Sequence, residues 1–321
     1  MSERTITTNG VDLNVVVEGD GPAVVLAHGF PELAYSWRHQ IPVLANAGYT
    51  VIAPDQRGYG KSTRPEPIDA YDIHHLTDDL LGVLDALGHE KAVFVGHDWG
   101  SMVVWSQALL HPERVAGVAG MSVPFLPRGP ISTTAALKAV FGDQFFYILY
   151  FQEPGVADAD LGRDPARTMR GLLAGVTLPV TGASPDLPAV SPDAGFVERL
   201  PQPAALPDWL SSAELDHYVA EFTRTGFTGG INWYRNFDRN WETTPQLDGL
   251  KVEVPSLFIG GALDPVLMLT PPTIMDGWLQ DHRGTVLIEG AGHWVQQEKP
   301  DEVNAALLGF VNGLSRDGGT W

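Results

Sequence analysis

The sequence predicts an α/β fold: a mostly parallel central sheet flanked by helices, with an inserted helical segment. Three observations predict it. Short apolar runs at residues 23–27, 50–53, 93–96 and 115–122 alternate with helix-patterned stretches, the rhythm of strand–helix–strand units. These runs are unbroken rather than alternating, which suits strands covered on both faces. Beyond Leu126 the strand pattern vanishes for about 120 residues and returns only at 254–260. The expected division is a core domain of residues 1–125 and 246–321 and a helical cap of residues 126–245.

Composition narrows the function before any motif is read. The chain has 321 residues, 44% of them hydrophobic and 18% charged, enough to build a large buried core. A net charge of −19 repels nucleic acid and anionic membrane surfaces. Cysteine is absent, which removes disulfides, zinc–thiolate sites and cysteine catalysis. The ten histidines are too scattered to suggest a metal ligand set. The first residues lack a charged-then-apolar leader, and no apolar run approaches the roughly 18 residues of a membrane span. A cytoplasmic protein without membrane insertion is the expectation.

The elements follow in order. Asn9-Gly10 between two alternating runs predicts a hairpin. The run at 23–27 ends at His28-Gly29-Phe30-Pro31, a loop at a strand's C-terminal end, where α/β sheets handle ligands. A helix is expected over 32–45, then a strand at 50–53. Gly60-Lys61-Ser62 imitates a phosphate loop, but the first glycine of that motif would fall on Asp55, so a tight structural loop is expected. Leu76, Leu80, Val83, Leu84 and Leu87 repeat at helical spacing. In the inserted segment, helices are expected over 134–150 and 164–173. A proline-rich stretch follows at 177–208, then a capping box at Ser211 and Glu214. A strand at 285–289 and a helix over 300–311 complete the chain.

Chemistry concentrates at Gly96-His97-Asp98-Trp99-Gly100. A strand, a sharp turn flanked by glycines and a helix make a nucleophile elbow. Its reactive residue is Asp98 rather than serine or cysteine. A carboxylate displaces leaving groups at saturated carbon and becomes an ester itself. Alone, Asp98 also reads as a helix cap, the less favoured reading. Asp264 and His293, however, follow later strands, which gives the order nucleophile, acid, base. His293 is then the general base and Asp264 its orienting carboxylate. Taken singly, Asp264 is also a turn former and His293 a cap residue.

The chain resembles the soluble epoxide hydrolases of the α/β-hydrolase superfamily over nearly its whole length. The motifs that carry the resemblance are His28-Gly29-Phe30-Pro31, Gly96-His97-Asp98-Trp99-Gly100, Tyr150-Phe151-Gln152-Glu153-Pro154-Gly155, Asn232-Trp233-Tyr234-Arg235-Asn236 and Gly292-His293-Trp294. The first two are shared with dehalogenases; the tyrosine-bearing ones are more specific. The resemblance implies that Tyr150 and Tyr234, otherwise readable as interior aromatics, grip the epoxide oxygen from the cap. It implies an oxyanion hole from the backbone N–H groups of Phe30 and Trp99, with Pro31 in cis. It also implies an epoxide and water as reactants, a vicinal diol as product, no cofactor and no phosphatase domain; detoxification chemistry and a homodimer through the cap fit as well. The alternative is a haloalkane dehalogenase, which shares the Asp nucleophile but needs halide-binding N–H donors; many of those enzymes carry Asn where Phe30 stands. A fluoroacetate-type dehalogenase would want arginines near the nucleophile, and a non-catalytic receptor would not need the triad.

Overall fold

The computed structural model of the chain describes residues 2–175, 191 and 193–316. These fall into two compact units, one of residues 1–65, 73–128 and 246–321, the other of residues 66–72 and 129–245.

The first unit is built on a single sheet. Its strands are β1 (Ser2–Thr8), β2 (Val11–Glu18), β3 (Ala23–Ala27), β4 (Thr50–Pro54), β5 (Ala92–His97), β6 (Val115–Met121), β7 (Val252–Gly261) and β8 (Leu279–Ile288). They lie in the order β1-β2-β4-β3-β5-β6-β7-β8. β1 and β2 are antiparallel, as are β2 and β4, and every other neighbouring pair is parallel. The hairpin forms at the expected place. Asn9 and Gly10 have φ of 47° and 74°, the double positive φ that a two-residue turn matched to strand twist demands. β3 and β5 are buried along their whole length, as their unbroken apolar runs foretold.

Helices cover the sheet with their apolar stripes. Leu76, Leu80, Val83 and Leu84 of the helix Ile73–Ala86 are buried, each contributing about 1.5–3 kcal/mol over exposure. The expected continuous helix over 32–45 is instead a short 3₁₀ turn, Ala34–Trp37, and a separate helix, Gln40–Asn46. Pro42 explains the restart. It lacks an N–H and is tolerated only in a helix's first turn, where the second helix places it. β8 begins six residues earlier than the pattern indicated, because its alternation of half-buried and exposed positions marks an edge strand rather than a buried one.

Chain direction reverses its sideways progress between β3 and β5: β4 was laid on one side of β3, β5 on the other. Open α/β sheets bind ligands at the C-terminal edge of such a switch point. Register aligns the edge, pairing Ala27 with Gly96, His97 with Met121, Met121 with Ile259, and Gly261 with Ile288. The loops that follow β3, β5, β6, β7 and β8 therefore leave the sheet side by side.

The second unit is helical and enters the chain between β6 and β7. Its helices are Thr133–Phe141, Tyr147–Tyr150, Val156–Arg163, Pro165–Gly175, Phe196–Arg199, Ser212–Thr225, Thr228–Arg235 and Phe237–Thr243. The single helix expected over 134–150 breaks at Gly142, whose φ of 55° and ψ of −124° are open to glycine and not to a helical residue. The capping box forms, with Glu214 N–H on Ser211 Oγ at 3.3 Å and Ser211 N–H on Glu214 Oε2 at 2.8 Å. Of the proline-rich stretch, residues 177–190 and 192 lie outside the described residues. Among the described residues no helix is long and apolar enough to cross a membrane.

Candidate active site

Five residues of the first unit converge at the aligned sheet edge: Phe30, Asp98, Trp99, Asp264 and His293. Asp98 stands between β5 and the helix Trp99–Leu110 with φ 51° and ψ −120°, a region that costs a non-glycine residue of order 1–3 kcal/mol. The helix begins at Trp99, directly after the turn. Asp98 occupies the cap position, yet its side chain makes no cap hydrogen bond. Its Oδ1 instead accepts the Phe30 N–H at 2.8 Å. Three glycines make room for this turn. A Cβ at Gly96 would overlap the Gly100 carbonyl, one at Gly100 the Ala27 carbonyl, and one at Gly29 the Asp98 carboxylate. The Phe30–Pro31 peptide is cis.

His293 lies just beyond β8. Its Nδ1 is 3.0 Å from Asp264 Oδ2 and its Nε2 is 3.6 Å from Asp98 Oδ2. Burial disfavours the charged imidazole, but Asp264 and Asp98 together outweigh burial and raise its pKa well above the ordinary value. Asp264 is buried too, which alone would raise it; His293 and the Val266 N–H, at 2.9 Å, hold it below the usual carboxylate range. Glu298 brackets His293, accepting the Gly292 N–H at 2.7 Å and the Trp294 N–H at 2.8 Å.

A second layer went unread in the sequence. Glu32, fully buried, accepts the Gly29 N–H at 2.8 Å, His97 Nδ1–H at 2.7 Å and the side-chain amide of Gln296 at 2.9 Å. Burial would raise its carboxyl, but His97 dominates and brings it down to about 2. The other nitrogen of His97, Nε2, lies 2.7 Å from the His293 carbonyl. Both ring nitrogens thus face groups that only accept, so both carry hydrogen. The Glu32–His97 pair ties the loop after β3, the turn at Asp98 and the backbone of His293 together. A polar residue at the end of an apolar strand and a glutamate after His28-Gly29-Phe30-Pro31 were the only signals available.

The loop over 54–62 closes on itself. Asp55 accepts the N–H groups of Ala34 and Lys61 at 3.0 and 3.2 Å. It is a structural hub, and Gly60-Lys61-Ser62 belongs to it. Among the described residues no group of three His, Cys, Asp or Glu side chains is placed to hold a metal ion.

In the helical unit, the two tyrosine-bearing motifs are bolted together. Arg235 donates from Nε to the Phe151 carbonyl at 3.0 Å and pairs with Asp158 at 2.5 Å. Gln152 donates to the Tyr234 carbonyl at 3.1 Å. The ring of Tyr234 meets Tyr147 edge-on at 5.9 Å and Phe151 at 5.1 Å. Tyr150 makes a different polar contact. Its hydroxyl donates to the buried Asp160 at 3.2 Å, and burial, helped by that carboxylate, pushes its pKa up to about 12.

Comparison with known proteins agrees with this geometry. A family model described as the alpha/beta hydrolase fold matches residues 22–300. Epoxide hydrolase A of Mycobacterium tuberculosis is 61% identical over 316 residues, 98% of each chain. This chain belongs to the epoxide hydrolases of the α/β-hydrolase family. Epoxide hydrolase 1 of Siraitia grosvenorii is a more distant member, 42% identical over 97% of this chain and 98% of its own. The crystal structure of epoxide hydrolase A from Mycobacterium thermoresistibile superposes with a TM-score of 0.92 at 59% identity, covering 97% of this chain and 98% of that one. The expected family is therefore the observed one.

Proposed function

We propose that this chain hydrolyses epoxides to vicinal diols through an ester on Asp98, with Tyr147 and Tyr234 as the hydroxyl donors to the epoxide oxygen. One observation carries the choice of donors: Tyr234 packs against Tyr147, while the hydroxyl of Tyr150 is spent on Asp160. The sequence had favoured Tyr150 beside Tyr234. The geometry favours its neighbour one turn earlier. A tyrosine pair suits an epoxide, whose alkoxide leaving group needs a proton, and is not needed to release a halide.

The groups account for every proton. In the resting site Asp264 and Asp98 favour the charged form of His293. Asp98 attacks one epoxide carbon as a tyrosine passes its proton to the oxygen, leaving a hydroxyalkyl ester and a phenolate. Esterification removes the Asp98 charge, and with it part of what kept His293 protonated. The phenolate regains a proton from solvent, and His293 gives one up to become the neutral base that the second step requires. It takes a proton from water as the water attacks the Asp98 carbonyl carbon. Charge builds on an Asp98 oxygen, where the Phe30 N–H already points and the Trp99 N–H, at the helix start, is the second donor under this reading. Release of the diol restores carboxylate and imidazolium.

The reading takes residues 126–245 as the cap that delivers the tyrosines and places the enzyme in the cytoplasm. Ultracentrifugation tests the homodimer that the resemblance implies. The decisive experiment is intact-protein mass of His293→Gln after exposure to styrene oxide and, separately, to a chloroalkane. An adduct of the whole epoxide mass, mapped to Asp98, is expected. An adduct formed only by the chloroalkane, lighter by hydrogen chloride, would make the protein a dehalogenase.

A further inference from the structure

Ser122 is the first residue beyond β6. It is fully buried and adopts a φ of 63°, a left-handed conformation that β-carbon sterics disfavour for everything but glycine and, more mildly, asparagine and aspartate. The turn is pinned on all sides. The Met121 carbonyl accepts the N–H of Asp98 at 3.2 Å, and Ser122 N–H bonds the Ile259 carbonyl of β7 at 3.0 Å. The Val123 carbonyl accepts Ser101 Oγ at 2.7 Å and the Trp105 indole at 3.3 Å, both from the helix behind the elbow. Such over-determination is what a strained backbone needs to persist.

The strain has a destination. Ser122 Oγ donates to the backbone carbonyl of His293 at 2.8 Å. The same hydroxyl lies beside Asp264. The His293 carbonyl also receives His97 Nε2–H, so two buried donors fix the backbone of one residue, whose ring must meet Asp264 at 3.0 Å and Asp98 at 3.6 Å. The geometry points to Ser122 as a positioning residue for the ester-hydrolysis half of the reaction: a hydroxyl, held by a left-handed turn tied to the nucleophile's backbone, that sets the placement of the His293–Asp264 pair. Ring opening by Asp98 requires no base and does not depend on it. This inference rests on the function proposed above.

Three variants separate the hydroxyl from the backbone conformation. Ser122→Gly relieves the positive φ and removes the hydroxyl. Ser122→Ala keeps the strain and removes the hydroxyl. Ser122→Asn tolerates the conformation and restores a donor. With styrene oxide as probe, single-turnover ester formation is measured by rapid quench and intact mass, alongside steady-state kcat and KM. In the Gly and Ala variants kcat should fall on the order of tenfold to a hundredfold, as for a misplaced catalytic group, with ester formation within about twofold of wild type. KM should fall with kcat, keeping kcat/KM near wild type, because the ester accumulates. The Asn variant should recover most of kcat. A Gly variant that turns over at the wild-type rate without excess ester would overturn the inference, as would variants whose ester formation slows as much as kcat. Wild-type enzyme that forms no ester with styrene oxide or an aliphatic epoxide would overturn the functional reading itself, a distinct result.

Discussion

Replacing Tyr147 and Tyr150 by phenylalanine, one at a time, decides which tyrosine protonates the epoxide. General-acid assistance is worth roughly 10²–10⁴ in rate. With Tyr234 still present, Tyr147→Phe should slow ester formation about 10²-fold, an increase of about 2.7 kcal/mol in the barrier. Tyr150→Phe removes a hydroxyl from Asp160, which keeps the Val197 N–H at 3.2 Å. A half-satisfied buried carboxylate costs about 1–3 kcal/mol of stability and a lower thermal midpoint, while ester formation stays within about twofold. Rapid-quench single turnovers on styrene oxide give the rates, and calorimetry gives the midpoints. The reasoning fails if Tyr150→Phe, at an unchanged midpoint, loses two orders of magnitude while Tyr147→Phe does not; the acid would then be Tyr150.

Asp98→Ala should abolish turnover in a folded protein with an unchanged circular-dichroism spectrum, and ordinary turnover would sink the nucleophile assignment. Gly29→Ala places a Cβ on the Asp98 carboxylate and should cut ester formation at least tenfold, with little change in far-UV circular dichroism. Glu32 contributes stability that is complete above its ordinary value of 4.5 and is lost as pH falls through about 2. That drop corresponds to on the order of 3 kcal/mol, so urea titrations from pH 5 to 2 should show an acid limb that Glu32→Gln flattens. His293 works in the opposite sense. Its contribution is complete below its ordinary 6.5 and is lost as pH rises through its raised value, so alkaline titrations should lose stability in wild type and much less in His293→Gln.

Much was legible in the sequence because it depends on local pattern. Unbroken apolar runs predict strands covered on both faces, and β3 and β5 are fully buried. Glycines around Asp98 announce a turn in which neighbouring backbones touch, and Cβ atoms there would collide. Chain order alone arranges Asp98, Asp264 and His293, since each follows a strand of the same parallel sheet. The limits are equally physical. Tyr147 and Tyr150, three residues apart, lie only about 60° apart around a helix, so periodicity cannot tell which one meets Tyr234; the packed rings show that Tyr147 does. Glu32 reaches Gln296 across 264 residues, and Ser122 reaches the His293 carbonyl across 171. Hydrogen bonds of that span depend on strand register and on which loops leave the sheet side by side. Local sequence patterns record what each element buries, and only the assembled sheet edge fixes which polar groups find one another there.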